Sequence, residues 1–417
     1  MPIERLQQKL AADVREMQST GRAKGAETVF SGVLASSGAN GPRYLLAGEG
    51  QRAYLRMNSN SYLGMSLNAD VRSAEEQAVR AIGAGPGALR FISGTWAPHT
   101  ALEQRLARFH SREAAMIYSS AYATVMGVLP QLIDSETVVI SDALNHSCII
   151  NAVRLSRPKE KRVYPHLDLA ALDRILGECA ETCRRAVVIT DGIFSMRGDH
   201  APLDEIMALA QKHDSAYAEN VIVAADDSHG VGAFGETGRG TEEYCAAPPV
   251  DVLIGTLGKA FGVNGGYVTG SATLIDYLRE TSPFYIYSNP ITPGEAAAAL
   301  RAVEIVDSQE GRAKLAHLRA VTARFEAGLV ALGFETIAGA HPVVPLMVRD
   351  TATTSALVAY LRANAILATG LNFPVVPKGD EEIRFQISAD HTAADIDAAL
   401  SVLAAFAEQQ KKMSGSA

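Results

Sequence analysis

Lys259 lies in GTLGKAFG, on a glycine-flanked loop within an otherwise apolar region. Burying a lysine there as a cation is costly, so its pKa falls and its amine becomes nucleophilic, which is what a Schiff-base lysine needs. Asp226, in AADDSHG, could hold a pyridine nitrogen protonated and so turn a pyridoxal ring into an electron sink. His146, in SDALNHS, could stack on one face of such a ring, and His229 could hydrogen-bond its phenolic oxygen. A phosphate would sit on backbone N–H groups at the start of the helical pattern after Ser120, with the Thr256 hydroxyl assisting.

Seen singly, each residue has a plainer explanation. An isolated Asp-x-x-His is usually a cap or turn, Ser195 alone is a turn residue, and Asp191 alone is a strand-end cap. The joint pattern is what points to chemistry. Cys148, two residues from His146, sits in the apolar run SCII and reads as buried and inert rather than as a thiol nucleophile. Gly83, Gly85 and Ala88 fit GxGxxA, but they follow a helical pattern where a dinucleotide fingerprint must follow a strand. Gly258-Lys259 lacks the Ser/Thr of a P-loop, because Ala260 follows, and Leu253 stands where the first glycine belongs.

These residues need a frame that brings strand ends together. The runs AAMIY, TVVIS, AVVIT, VIVAAD, DVLIG and GYVTG alternate with helical patterns between Glu113 and Gly270, the signature of a parallel sheet with crossover helices in an α/β protein. Ser120 and Tyr122, Asp142 and His146, Asp191 and Ser195, Asp226 and His229, and Thr256 and Lys259 all follow such runs, where ligands collect in these sheets. Ahead of them come a helix with Ile3, Leu6, Leu10, Val14 and Met17 on one face, the short strands YLLAG and AYLRMN, the turn-rich NSNSYLG and a helix from about Ala69 to Ile82. The spacing predicts helix from Pro293 to Val330, then strands in VVPLMV, ILATG and EIRFQIS. A closing helix begins at Thr392, with Asp395 three residues on, and the tail QQKKMSGSA frays. The domains expected are an N-terminal segment over 1–57, a large cofactor-binding α/β domain over 58–292 and a smaller α+β domain over 293–417.

Composition agrees with an intracellular enzyme. Of 417 residues 47% are apolar and 20% charged, enough for a large core. Acidic residues number 46 and basic ones 38, a dispersed surplus with no basic stripe for nucleic acid. Four cysteines, Cys179 and Cys183 at helical spacing and Cys148 and Cys245 alone, give neither a disulfide framework nor a zinc pattern, so no metal is expected. With no secretory segment and no apolar run of membrane-spanning length, the cytoplasm is the expected compartment.

The chain resembles the fold-type I pyridoxal phosphate enzymes, and within them the α-oxoamine synthases, from NSNSYLG near Asn58 to FQISADHT ending at Thr392. SDALNHS, TDGIFSM, DDSHGVG with GETGRG, GTLGKA and FPVVPKG are most similar to the glycine C-acetyltransferase (2-amino-3-ketobutyrate CoA ligase) branch. The resemblance implies a large domain with a mostly parallel seven-stranded sheet and pyridoxal 5'-phosphate as cofactor. It makes Lys259 the Schiff-base lysine and later the base for the α proton, pairs Asp226 with the pyridine nitrogen and His229 with the phenolic oxygen, and stacks His146 on the ring. Ser120, Ala121 and Tyr122 become the phosphate loop with Thr256 beside it, and Ser288 and Asn289 reach the phosphate of the other subunit of a homodimer. Asn60, Ser195 and Arg384 hold the amino-acid carboxylate, with Ser195 also at the cofactor. Val125, Ala121 and the stretch SGTWAPH, which contains Trp96, depart from the usual pattern.

The implied activity is that of an acyltransferase: Claisen-type condensation of a small amino acid, glycine first, with an acyl-CoA, acetyl-CoA first. The product is an α-amino-β-keto acid or its decarboxylated aminoketone. The alternatives are a sibling decarboxylating synthase that takes alanine or serine and a longer or carrier-bound acyl thioester, or an aminotransferase or aldolase on the same fold. A non-catalytic scaffold has no need of Lys259 together with Asp226 and His146.

Overall fold

The runs that read as strands are apolar without alternation because both of their faces are covered. The structure, a computed structural model, describes residues 3–20, 22–23, 25–373 and 375–414. It divides into two units, one of 60–319 with 340–342, the other of 1–59, 320–339 and 343–417.

The larger unit is built on seven strands: β1 (Ala114–Tyr118), β2 (Thr137–Asp142), β3 (Glu160–Tyr164), β4 (Arg185–Asp191), β5 (Val221–Asp226), β6 (Val252–Thr256) and β7 (Gly266–Gly270). Their order is β1-β7-β6-β5-β4-β2-β3, with β7 antiparallel to both its neighbours and the remaining pairs parallel. The seven-stranded, mostly parallel sheet expected from the resemblance is therefore present. Alternate residues feed two cores. Val138, Ile140, Val188 and Val223 pack with the helices Leu169–Cys179 and Leu203–His213 on one face, while Val139, Val187, Ile189 and Ala224 pack with Ala121–Leu132 and Ser147–Leu155 on the other.

The strand β3, absent from the sequence expectation, is the sheet's edge, and its half-exposed EKRVY carries charges where the inner strands carry valine. The helix expected near Ala69 spans Ala69–Ile82, capped by Asn68, whose side chain accepts from the N–H groups of Asp70 and Val71. Helix Pro293–Val306, expected in the C-terminal domain, packs on Ala69–Ile82 and on Ala97–Phe109 of this unit. Thr292 and Glu295 form a reciprocal capping box at its start, with hydrogen bonds of 2.7 and 3.0 Å. Gly270 ends the sheet, and Gly266 at the start of β7 is needed for packing: a Cβ there would lie 2.5 Å from Ala121 N, so glycine lets the helix after Ser120 sit against the strand.

The second unit holds two four-stranded sheets. One contains Phe30–Leu34, Arg43–Leu46, Ala53–Arg56 and Ile366–Leu367, the last pairing parallel to Ala53–Arg56. The other runs Glu335–Thr336, Val343–Met347, Glu382–Gln386, Thr369–Leu371. Asp395 closes the last helix onto the first sheet by accepting from Thr392 N at 2.9 Å, Gly41 N at 2.9 Å and Arg43 Nη2 at 2.5 Å. That helix continues to Ser414, so the tail expected to fray is helical up to there, and residues 415–417 lie outside the described residues. Helix Glu4–Ser19 keeps Ile3, Leu6, Leu10, Val14 and Met17 on one exposed side.

Candidate active site

The apolar strands end in polar residues on the same side of the sheet: Asp142 closes β2, Asp191 β4, Asp226 β5 and Thr256 β6. Asp191 and Asp226 are register partners, so two carboxylates sit side by side. A cavity opens beyond them, lined by Ala121, Tyr122, His146, Cys148, Asp191, Ile193, Ser195, Asp226, Ser228, His229 and Lys259. A wider groove at the opposite strand ends, lined by residues such as Arg112, Asp214, Glu219 and Asp251, brings together none of the residues with cofactor chemistry.

Asp226 is buried and held in place. Its Oδ1 accepts from Ser228 Oγ at 2.5 Å and from Ser228 N at 3.2 Å, and Cys148 Sγ lies 3.6 Å from Oδ2. Beside it, Asp191 is held well above the usual carboxylate range, by burial first and by the charge of Asp226 second. Its Oδ2 accepts from His146 N at 2.8 Å and so fixes the start of the helix Ser147–Leu155. His146 caps that helix. Its Nδ1 accepts from Cys148 N at 3.3 Å, which leaves Nε2 to carry the proton of a neutral ring. Burial lowers the His146 pKa, with Asp226 opposing and Lys259 adding to the shift.

Ser120 is the N-cap of the twelve-residue helix Ala121–Leu132 and accepts from Ala123 N at 3.1 Å. The Thr256 hydroxyl accepts from Gly258 N at 3.1 Å and donates to Gly265 O at 3.2 Å, which shapes the turn that leads into Lys259. Asn60 does not line the cavity, and its Oδ1 lies 3.4 Å from Tyr62 Oη. Ser288 and the exposed Asn289 lie beyond the short helix Pro283–Ile286 and do not line the cavity. Arg384 belongs to the other unit, on the strand Glu382–Gln386.

Three contributors escaped the sequence. Cys148 is buried as expected, yet its sulfur lines the cavity 2.9 Å from His146 Nδ1. Ser228 steadies Asp226. Tyr62 reaches His229 from a turn-rich segment, where a single tyrosine carries no periodic signal. Of the departures, Val125 is fully buried in the core, and Trp96 is 37% exposed with Nε1 donating to Pro86 O at 3.0 Å.

The sequence model of the family described as aminotransferase class I and II matches residues 52–403. The chain belongs to that family, in its α-oxoamine synthase branch. It is 40% identical to the 8-amino-7-oxononanoate synthase of Thermosipho melanesiensis over 347 residues, 83% of this chain and 86% of that one. It is 35% identical to the Geobacter sulfurreducens 8-amino-7-oxononanoate synthase over 401 residues, 96% of this chain and 98% of that one. Among solved structures, Sphingomonas wittichii serine palmitoyltransferase superposes with a TM-score of 0.87 at 26% identity, covering 99% of both chains.

The enzyme is thus a pyridoxal 5'-phosphate-dependent, acyl-transferring synthase. Its cavity fits that group: a lysine, a buried aspartate, two histidines and the start of a long helix converge on it, the donor set that an aldehyde, a pyridine nitrogen, a ring oxygen and a phosphate require. Among the described residues, no cluster of His, Cys, Asp and Glu is arranged to hold a metal ion, and no helix is long and apolar enough to cross a membrane.

Proposed function

We propose that this enzyme joins alanine to a seven-carbon dicarboxylic acyl thioester, pimeloyl on coenzyme A or on a carrier protein, with loss of carbon dioxide to give 8-amino-7-oxononanoate. The observation that carries this reading is identity of 35–40% to synthases of that name over most of both chains, together with Lys259 and Asp226 on one cavity. The product's name contains its origin. A ketone at carbon 7 of a nonanoate leaves a seven-carbon acyl unit on one side, and the aminated two-carbon fragment on the other is alanine without its carboxylate. Glycine and acetyl-CoA, the first expectation from the sequence, give way to this decarboxylating sibling.

Bound pyridoxal 5'-phosphate supplies an electron sink for the pair left on the amino-acid carbon. Lys259 Nζ anchors it and moves the proton at the substrate's α carbon. Asp226, steadied by Ser228, would keep a proton on the ring nitrogen, and His229 would donate to the ring oxygen. Ser120, Ala121, Tyr122 and Thr256 would hold the phosphate, and Ser288 and Asn289 of a second copy would complete that site in a homodimer. Asn60, Ser195 and Arg384 orient the amino-acid carboxylate, for which the planar guanidinium fork is suited. His146 would cover one face of the bound ring, and its Nε2–H would serve as a donor to the thioester oxygen as charge develops there; one well-aimed donor contributes on the order of 3 kcal/mol.

The test gives the purified, cofactor-loaded protein alanine, serine or glycine, each with acetyl-, pimeloyl- or palmitoyl-CoA, and records thiol release and product mass. Alanine with pimeloyl-CoA is expected to react fastest, with a product lacking the amino acid's carboxylate. Preference for glycine and acetyl-CoA with a carboxylate-retaining product, or for serine and palmitoyl-CoA, would overturn the substrate assignment and leave the family intact.

A further inference from the structure

Tyr62 is fully buried, and its Oη lies 2.7 Å from His229 Nδ1. A phenol has one proton to give. Asn60 Oδ1 stands farther off, at 3.4 Å, beyond the usual range of an O–H···O bond, so of these two acceptors His229 is the better placed. With Nδ1 accepting, the neutral His229 ring carries its own proton on Nε2.

A second histidine braces this pair. His341 donates from Nε2 to the His229 carbonyl oxygen at 2.9 Å. Its ring stands edge-on to Tyr62, with centroids 5.3 Å apart, and packs against Phe234 at 5.7 Å. Burial pushes the His341 pKa down to about 3, with the hydrogen bond to His229 opposing, so the brace is a neutral ring that donates without bringing charge to the site. The backbone of His229 and the ring of Tyr62 are thereby set by one residue, and the side chains of His229 and Tyr62 by each other.

We propose that Tyr62 is a positioning residue that fixes the tautomer of His229, so that the imidazole offers an N–H donor toward the cofactor. The inference rests on the reading above that His229 meets the cofactor's ring oxygen. An imidazole free to exchange tautomers would present a lone pair to that oxygen part of the time, which repels where the donor attracts. Tyr62 thus sets the fraction of molecules ready to bind.

The test compares the full-length protein with Tyr62→Phe, His229→Gln and the double variant. The first readout is the dissociation constant of pyridoxal 5'-phosphate from the apoenzyme. The second is the ¹⁵N spectrum of histidine-labelled apoenzyme, with His229 assigned by its loss in His229→Gln. The wild type is expected to show His229 as the Nε2–H tautomer. Tyr62→Phe should mix the tautomers and weaken cofactor binding by about twofold, the inverse of the fraction left in the Nε2–H form, and the same change on the His229→Gln background should add little. A wild-type His229 protonated on Nδ1 overturns the proposal whatever the variants do. If His229→Gln weakens binding and Tyr62→Phe changes neither readout, the role of Tyr62 falls and the site stands. If His229→Gln binds the cofactor as the wild type does, the reading of the site falls, and the proposal with it.

Discussion

His166 joins the segments that carry His146 and Ser195 into the cavity: its Nδ1 donates to Asp142 Oδ1 at 3.0 Å and its Nε2 to Asp199 Oδ2 at 3.3 Å. Both ring nitrogens donate, so the ring is an imidazolium. Asp142 ends β2, four residues before His146, and also accepts from Leu144 N at 2.8 Å and Leu167 N at 3.0 Å. Asp199 lies four residues after Ser195 and accepts from Arg197 Nε at 2.7 Å. The edge of Phe194 packs on the histidine, with centroids 4.4 Å apart.

This bridge makes stability depend on pH. Burial disfavours the charged ring, but the hydrogen bonds and charges of Asp142 and Asp199 outweigh it and raise the His166 pKa from 6.5 to about 9. A pKa raised on folding stabilises fully below the unfolded value and is lost as pH climbs through the folded one. The bridge is therefore expected to contribute up to about 3 kcal/mol near pH 6 and little above pH 10. Melting curves of wild type and His166→Gln should differ most near pH 6 and converge by pH 10, and a gap that stays constant with pH would contradict the assignment.

Asp227, buried beside the cavity-lining Asp226, is walled in by glycines. It accepts from Thr241 N and Thr241 Oγ1, both at 2.7 Å. Gly240 has φ +94°, and a Cβ on it would lie 2.0 Å from Asp227 Oδ2. Gly240→Ala is expected to lose roughly 2–4 kcal/mol, by strain and by displacing a buried carboxylate from its donors. Denaturant unfolding measures this directly, and a loss below 1 kcal/mol would show that the loop adapts.

Such clusters explain what could and could not be read from sequence. The inner strands were legible because burial on both faces leaves apolar runs that end in polar residues, and Lys259, Asp226, His146 and His229 stand at those ends. Edge strand β3 was missed because one of its sides meets water and its charges break the run. Helix from Pro293 onward was legible, but its division into Pro293–Val306 and Gln309–Ala331 was not. The break falls where Asp307 receives Arg105 at 2.6 Å and Arg239 at 2.8 Å, both distant in sequence. Tyr62 and His166 escaped for the same reason, because their partners lie 167 and 24 residues away or more.

Cys148 should be protected although it lines the cavity. Burial, then the charges of Asp226 and Asp191, push its thiol far up, so the reactive thiolate is scarce at neutral pH. Alkylation of the native apoenzyme at pH 7.5 is expected to leave Cys148 unmodified for hours and to label it promptly in denaturant, as read by peptide mass. Rapid labelling of the native protein would mean that the site opens more than its packing implies.

Lys259→Ala removes the only amine lining the cavity among the described residues. It is expected to abolish turnover and the visible absorbance of the lysine-bound cofactor while leaving the fold intact, because the side chain is only half-buried and sits on a loop after β6 rather than filling the core. Full activity in this variant would remove the basis of the site.

The role proposed for Arg384, holding the amino-acid carboxylate, predicts that amino-acid and cofactor binding respond separately to its removal. A guanidinium that holds a carboxylate through two charged hydrogen bonds contributes about 1.5–3 kcal/mol, so Arg384→Ala should weaken alanine binding roughly ten- to a hundredfold. Cofactor affinity should change by less than about threefold, because no group of the cofactor is assigned to this side chain. Arg384→Lys keeps the charge but loses the planar fork and is expected to recover only part of the affinity. Spectral titration with alanine, followed by titration of the apoenzyme with pyridoxal 5'-phosphate, gives both constants on one sample. Unchanged alanine affinity in Arg384→Ala would take the residue out of the site, whereas equal losses in both constants would make its role structural.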